Sequence, residues 1–94
     1  MYFDPVETGK RIKRIREKMM CNQDEFAEKI NTSRNYLAKM EIGYKAPSVD
    51  MLVEISSLAD VSLDYLVLGI PTNRDIKKEL NSLIELLSDA EKTF

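Results

Sequence analysis

Apolar residues recur every three or four positions along most of the chain, and this spacing is typical of amphipathic helices. Short polar stretches interrupt the pattern, and each contains a residue that can cap the start of a helix: Asp4, Asn22, Ser33, Ser48 and Ser62. Runs that alternate apolar and polar residues, which would predict strands, are nearly absent. The sequence therefore predicts an all-α protein with five short helices, followed by one longer helix from about Asn73 to the C-terminus.

Each of the five short helices has an apolar face that we expect to be buried. In chain order these faces are formed by Val6, Ile12, Ile15 and Met19; by Phe26, Ala27 and Ile30; by Leu37, Met40 and Tyr36; by Leu52, Ile55, Leu58 and Ala59; and by Leu63, Leu66 and Val67. Gly69 and Pro71 end the last of these helices. The predicted organisation is one domain over residues 1–70 and an appended helix over residues 71–94.

The second and third helices are separated by only Asn31, Thr32 and Ser33. A link this short forces two helices to cross steeply, as in a helix-turn-helix unit. Ala27 is small enough to let the two backbones approach, and Asn31 tolerates the left-handed conformation that commonly ends a helix. These features together predict a helix-turn-helix.

The segment from Asn22 onwards resembles the Cro/phage-repressor type of helix-turn-helix domain, also called the xenobiotic-response-element family. The resemblance covers roughly residues 7–69 and includes the run Ser62 to Leu66 and the following single positions: Gln23, Ala27, Leu37, Glu41, Gly43 and Pro47. It implies a five-helix, lambda-repressor-like domain that binds double-stranded DNA. Two positions depart from the family pattern, because Met20 and Asn31 stand where glycine is common. Met20 is expected to distort the link between the first two helices.

The distribution of charge agrees with a polyanionic partner for the first half only. Residues 1–47 hold ten Lys and Arg against seven Asp and Glu, whereas residues 48–94 hold four against nine. The net charge of −2 therefore combines a basic half with an acidic half.

Arg34 begins the third helix, although a cation at a helix start is opposed by the helix dipole. In a helix-turn-helix the second helix of the motif enters the major groove with its N-terminal residues against base edges. There Arg34 can donate to guanine, Asn35 can pair with adenine, Ala38 can contact a thymine methyl and Lys39 can reach guanine or a phosphate. We therefore predict these four as base-contacting residues. The alternative is that Arg34, Asn35 and Lys39 form the solvated face of an amphipathic helix.

Four further residues are predicted to contact phosphates: Gln23, Ser33, Tyr44 and Lys45. Gln23 lies at a helix start, where free N–H groups and the helix dipole attract anions. Phosphate contacts fix the register of a protein on DNA without carrying sequence information. The alternative for Gln23 is an ordinary polar residue at a helix start.

The resemblance also implies a structural pair, Arg16 with Glu41, that joins the first helix to the end of the third and orients it. Cys21 falls at an apolar position and is interpreted as a small core residue rather than a sensor thiol.

The C-terminal segment carries a heptad-like stripe formed by Ile76, Leu80, Leu83, Leu87, Ala90 and Phe94. The stripe either folds back on its own domain or pairs with a second subunit. We favour a homodimer, because the third helices of two subunits must reach major-groove faces about 34 Å apart.

Composition excludes several other classes. The chain has no histidine and a single cysteine, so neither a zinc site nor a His-dependent nucleophile is expected. It lacks a membrane span, a secretory signal and a glycine-rich phosphate loop, and we expect a cytoplasmic protein without cofactor or enzymatic activity. The leading hypothesis is a DNA-binding transcriptional regulator that acts as a repressor. The alternative is a protein-interaction module, such as an antitoxin or adaptor, that grips a partner with its C-terminal helix.

Overall fold

The computed structural model describes residues 3–93, and among these it describes the side chains of residues 3–73 and 75–88. Residues 3–93 form six α-helices and no strand, which confirms the all-α prediction. The helices are α1 (Pro5–Lys18), α2 (Gln23–Lys29), α3 (Arg34–Glu41), α4 (Val49–Ala59), α5 (Leu63–Leu68) and α6 (Asn73–Thr93).

Local capping determines where the first five helices begin. The side chain of each predicted cap accepts a hydrogen bond from a backbone N–H in the first turn, and the caps are Asp4, Asn22, Ser33, Ser48 and Ser62. At α2 the arrangement is reciprocal, because Glu25 also accepts from the backbone N–H of Asn22. The positions at which the first five helices begin were therefore predicted correctly from the sequence.

The core lies between α1, α2, α3, α4 and α5. Its buried apolar side chains are Ile12, Ile15, Phe26, Ala27, Ile30, Leu37, Met40, Ile55, Ala59 and Leu66. All ten were predicted to be buried. The predicted faces were nevertheless too wide, because Val6, Leu58 and Leu63 are exposed. Leu58 lies about 100° around α4 from Ala59, so it leaves the stripe that Ile55 and Ala59 turn to the core.

Within residues 3–93, three non-glycine residues lie in the left-handed region, and one of them, Asp60, ends α4 with φ 53°. Asn31 has φ 58°, as predicted for the turn between α2 and α3. Met20 also has φ 58°, between α1 and α2, and its side chain is 91% exposed. A left-handed residue with a Cβ is disfavoured, so Met20 carries strain that no packing of its own side chain offsets.

Gly9 allows α1 to approach the end of α3. A Cβ at Gly9 would lie 2.3 Å from the carbonyl oxygen of Met40 and 2.8 Å from that of Glu41. The sequence did not predict this role for Gly9, because the contact joins residues far apart along the chain.

The apolar stripe of α6 does not pack on its own domain within the described residues. The side chains of Ile76, Leu80, Leu83 and Leu87 are 48–67% exposed. The side chains of Ala90 and Phe94, which were also predicted to belong to the stripe, lie outside the described residues.

Candidate nucleic-acid interface

The α2–turn–α3 unit is built around a shared core and a hydrogen-bonded turn. Phe26, Leu37 and Met40 are fully buried between the two helices and the rest of the domain. The N–H of Thr32 donates to the carbonyl oxygen of Ala27 over 2.9 Å, which closes the end of α2 around the left-handed Asn31. The turn therefore fixes the direction in which α3 leaves α2.

The outer face of α3 carries the four predicted base-contacting residues. Arg34 and Asn35 are exposed in its first turn, and Ala38 and Lys39 are half-buried one turn later. These four positions span an arc of about 140° on the helix, on the side away from the buried Leu37. One helix thus presents a guanidinium, an amide, a methyl group and an ammonium side by side.

Asp24 of α2 lies beside Arg34. The distance from Arg34 Nε to Asp24 Oδ1 is 3.8 Å, and both side chains are largely exposed. The carboxylate offsets part of the unfavourable interaction between the arginine and the positive end of α3. The sequence reasoning missed Asp24, because an acid at a helix start is common for purely local reasons.

A buried ionic network holds α3 against α1. Arg16 donates to Glu41 through Nε to Oε2 over 2.7 Å and through Nη2 to Oε1 over 3.1 Å. The two side chains are only 13% and 3% exposed. Arg16 Nη1 also donates to the carbonyl oxygen of Cys21 over 3.0 Å, so the guanidinium binds the α1–α2 link as well. The hydrogen bond with Glu41 raises the pKa of Arg16 against the opposing effect of burial.

Gln23 joins this network. Its Nε2 donates to Glu41 Oε1 over 3.1 Å, so part of its hydrogen-bonding capacity is used inside the protein. The backbone of Gln23 still stands at the first position of α2.

The other three predicted phosphate contacts lie at the two ends of α3. Ser33 caps the helix by accepting from the N–H of Tyr36 over 3.1 Å. Tyr44 and Lys45 are exposed in the loop after α3, with Lys45 Nζ 5.9 Å from the centre of the Tyr44 ring. Tyr36 fixes this loop, because its hydroxyl donates to the carbonyl oxygen of Ala46 over 3.0 Å. The sequence analysis did not predict this function for Tyr36.

Comparison with known proteins places this arrangement in a family. A helix-turn-helix family model matches residues 12–66, which include α2, the turn and α3. The chain belongs to the Cro/C1-type helix-turn-helix family of transcriptional regulators. Proteins of this family bind double-stranded DNA and are regulators rather than enzymes, so the chain is a DNA-binding transcriptional regulator.

One curated relative covers nearly the whole chain. The HTH-type transcriptional regulator ImmR of Bacillus subtilis (strain 168) is 35% identical over an alignment of 91 residues that covers 92% of this chain and 72% of that protein.

Two solved structures extend the comparison. The P22 c2 repressor in complex with a synthetic operator has a TM-score of 0.63 at 25% identity. The match covers 67% of this chain and 96% of the repressor chain. The SinR/SinI complex has a TM-score of 0.59 at 30% identity, and the match covers 90% of this chain and 79% of the matched chain in that structure. The predicted lambda-repressor-like domain is confirmed by these matches.

The described residues carry neither a membrane-spanning helix nor a cluster of metal ligands. They contain no helix that is both long and apolar enough to cross a membrane. They also contain no group of three or more Cys, Asp or Glu side chains placed to hold a metal ion.

Proposed function

We propose that the chain is a homodimeric, cytoplasmic repressor that reads DNA with α3 and dimerises through α6. The observation that carries the proposal is the outer face of α3, whose exposed polar side chains are held at a fixed angle by the buried Arg16–Glu41 contact. We call α3 the recognition helix from here on.

Base reading is assigned to the recognition helix. Arg34 can form two hydrogen bonds with guanine N7 and O6, and Asn35 can pair with adenine N6 and N7. Ala38 and Lys39 lie one turn further along, where they would contact a thymine methyl and either a guanine or a phosphate. Asp24 does not compete strongly for Arg34, because exposed ion pairs of this kind are worth little in water.

Phosphate binding is assigned to residues around the ends of the recognition helix. Tyr44 and Lys45 project from the loop that Tyr36 fixes, and Ser33 stands at the turn. For Gln23, the N–H groups at the start of α2 are the stronger donors, because its side chain is already bonded to Glu41.

Dimerisation is assigned to the exposed stripe on α6, formed by Ile76, Leu80, Leu83 and Leu87. The successive spacings of four, three and four residues turn these side chains to one side of the helix. A contiguous exposed apolar patch of this kind marks an interaction surface more often than a free one. A second copy is the occupant that also serves DNA binding, since it supplies the second recognition helix.

A second candidate function uses the same stripe for another protein. The SinR/SinI structure is a complex of two different proteins, and its match covers 90% of this chain, including part of α6. In that case the chain would bind a partner through α6, and the partner would control whether two recognition helices can act together.

The proposed function is tested by selecting bound sites from random double-stranded DNA with the full chain. We expect the selected sites to contain two inverted half-sites, and sedimentation of the complex to give two chains for each duplex. The repressor role is tested in a reporter strain, where we expect the chain to silence a promoter that overlaps such a site. Selected DNA with a single half-site and one bound chain would contradict the homodimer and favour the partner-binding alternative.

A further inference from the structure

A single carboxylate joins the starts of α5 and α6. Asp75 Oδ1 accepts from the backbone N–H of Ser62 over 3.0 Å, and Asp75 Oδ2 accepts from Ser62 Oγ over 2.6 Å. The same Oδ2 accepts from the backbone N–H and the Oγ1 of Thr72, over 2.8 Å and 2.9 Å. We call these three residues the Asp75 latch. Its four hydrogen bonds come from two separate loops, so the carboxylate holds those loops together.

The latch does not disrupt the caps of the two helices. Ser62 Oγ still accepts from the N–H of Tyr65 over 3.0 Å at the start of α5. The carbonyl of Thr72 accepts from the N–H of Ile76 over 3.0 Å at the start of α6. Both helices thus direct the positive end of their dipoles towards one negative charge, an arrangement that stabilises all three groups.

The Asp75 carboxylate is ionised at neutral pH. Burial by itself would raise the pKa of Asp75, but the hydrogen bonds from Ser62 and Thr72 outweigh it and lower the pKa from 3.8 to about 2. The ionised carboxylate therefore accepts the four hydrogen bonds of the latch at neutral pH.

Further contacts support the same end of α6. Lys78 Nζ donates to the carbonyl oxygen of Ala59 at the end of α4, and Lys18 and Glu79 form an exposed pair at 3.9 Å. From Leu80 to Ser88 the described side chains are exposed. The direction of α6 is thus fixed at its first two turns, and the rest of the helix projects from the domain.

We infer that Asp75 is a positioning residue for DNA recognition, because the latch fixes α6 relative to the recognition helix and so sets the half-site separation that a dimer accepts. The inference rests on the proposed dimer through α6. One added base pair moves a half-site by about 3.4 Å along the duplex and by roughly 35° around it. A rigid joint at the base of α6 selects one separation, whereas a loose joint accepts several.

The test uses the full chain and a set of duplexes that carry its selected half-sites at separations from two base pairs shorter to two longer. Wild type is compared with Asp75→Asn, which keeps one acceptor oxygen for the cap of α6. It is also compared with Ser62→Gly, which removes the hydroxyl donor while glycine is tolerated as a cap of α5. Asp64→Asn is the matched control, because the described structure shows no side-chain hydrogen bond from Asp64 to α6.

We expect wild type and Asp64→Asn to lose affinity at least about 10-fold when the separation changes by two base pairs. In Asp75→Asn and Ser62→Gly the loss should shrink to roughly 3-fold, with lower affinity at the preferred separation and with dimer formation retained. Folded, dimeric variants with the wild-type separation profile would overturn the inference, as would a dimeric wild type that accepts all separations equally. A wild-type chain that binds DNA as a monomer would instead show that the proposed dimer is wrong, and the inference would fall with it.

Discussion

Glu41, in the last turn of α3, accepts two hydrogen bonds from Arg16, in the last turn of α1, and the Glu41 side chain is only 3% exposed and that of Arg16 13%. Two separate hydrogen bonds restrict rotation as well as distance. The recognition helix is therefore held at a set angle to α1. This angle decides where the exposed side chains of α3 point.

Breaking this contact should destabilise the domain. We expect Arg16→Ala to lower the free energy of unfolding by roughly 3 kcal/mol, because Glu41 would remain buried without its cation. Thermal and urea melting measure the effect, and Lys13→Ala is the control, since the pair that Lys13 forms with Glu17 at 4.0 Å is exposed. The double variant Arg16→Met with Glu41→Met should recover part of the loss. A single variant that melts like wild type would mean that the pair is not structural.

Met20 offers a gain in stability. Met20→Gly should raise the free energy of unfolding by about 1 kcal/mol, because glycine adopts the observed φ of 58° without a Cβ penalty. Met20→Ala is the control, because it removes the exposed side chain and keeps the Cβ. If both variants melt at the same temperature, backbone strain at position 20 is not the cause.

How much could be predicted depended on how local each feature is. The helix starts, the left-handed Asn31 and the face of α3 follow from residues within one turn of each other, so the sequence predicted them. Gly9 and Asp75 act on residues distant in sequence. In the sequence, Asp75 looks like any acid in the first turn of a helix. Its bonds to Ser62 exist only once α5 and α6 are placed side by side.

The excess of predicted core residues has a geometric reason. In α5, Leu63 lies on the same face as the buried Leu66, three residues later, but it stands at the very start of the helix and remains 43% exposed. Periodicity alone marks every apolar residue near the stripe and cannot find its edge. The prediction that α6 dimerises stays a prediction, because one chain shows an exposed stripe and not what covers it.

The Asp75 latch should make stability depend on acid pH. The pKa of Asp75 is lower in the folded chain, about 2, than its ordinary value of 3.8. The contribution of Asp75 to the free energy of unfolding is thus complete above about pH 4 and is lost as the pH falls towards 2. The difference in melting temperature between wild type and Asp75→Asn should shrink over this interval. An unchanged difference from pH 5 to pH 2.5 would show that the ionised carboxylate is not what the latch uses.

Charges in the stripe on α6 should separate the two subunits. Leu83→Asp combined with Leu87→Asp would place like charges in an apolar interface, so we expect a monomer in which the domain of α1 to α5 stays folded. Sedimentation measures the association, and circular dichroism measures the helix content. The control is Glu85→Asp, which keeps the charge at an exposed position between the two. An intact dimer would place the interface elsewhere, and a general loss of helix would show that α6 supports its own domain.

The most direct test of DNA reading compares Arg34→Ala with Lys45→Ala on selected sites, on sites with single base changes and on random DNA, each over a range of salt concentrations. Arg34→Ala should cost about 1–3 kcal/mol on the selected site and remove discrimination at one base pair, because its guanidinium reads a base edge. Lys45→Ala should weaken binding to all three kinds of DNA alike and reduce the salt slope by about 1, because its ammonium meets a phosphate. Equal losses on selected and random DNA in both variants would contradict the assignment of base reading to the recognition helix.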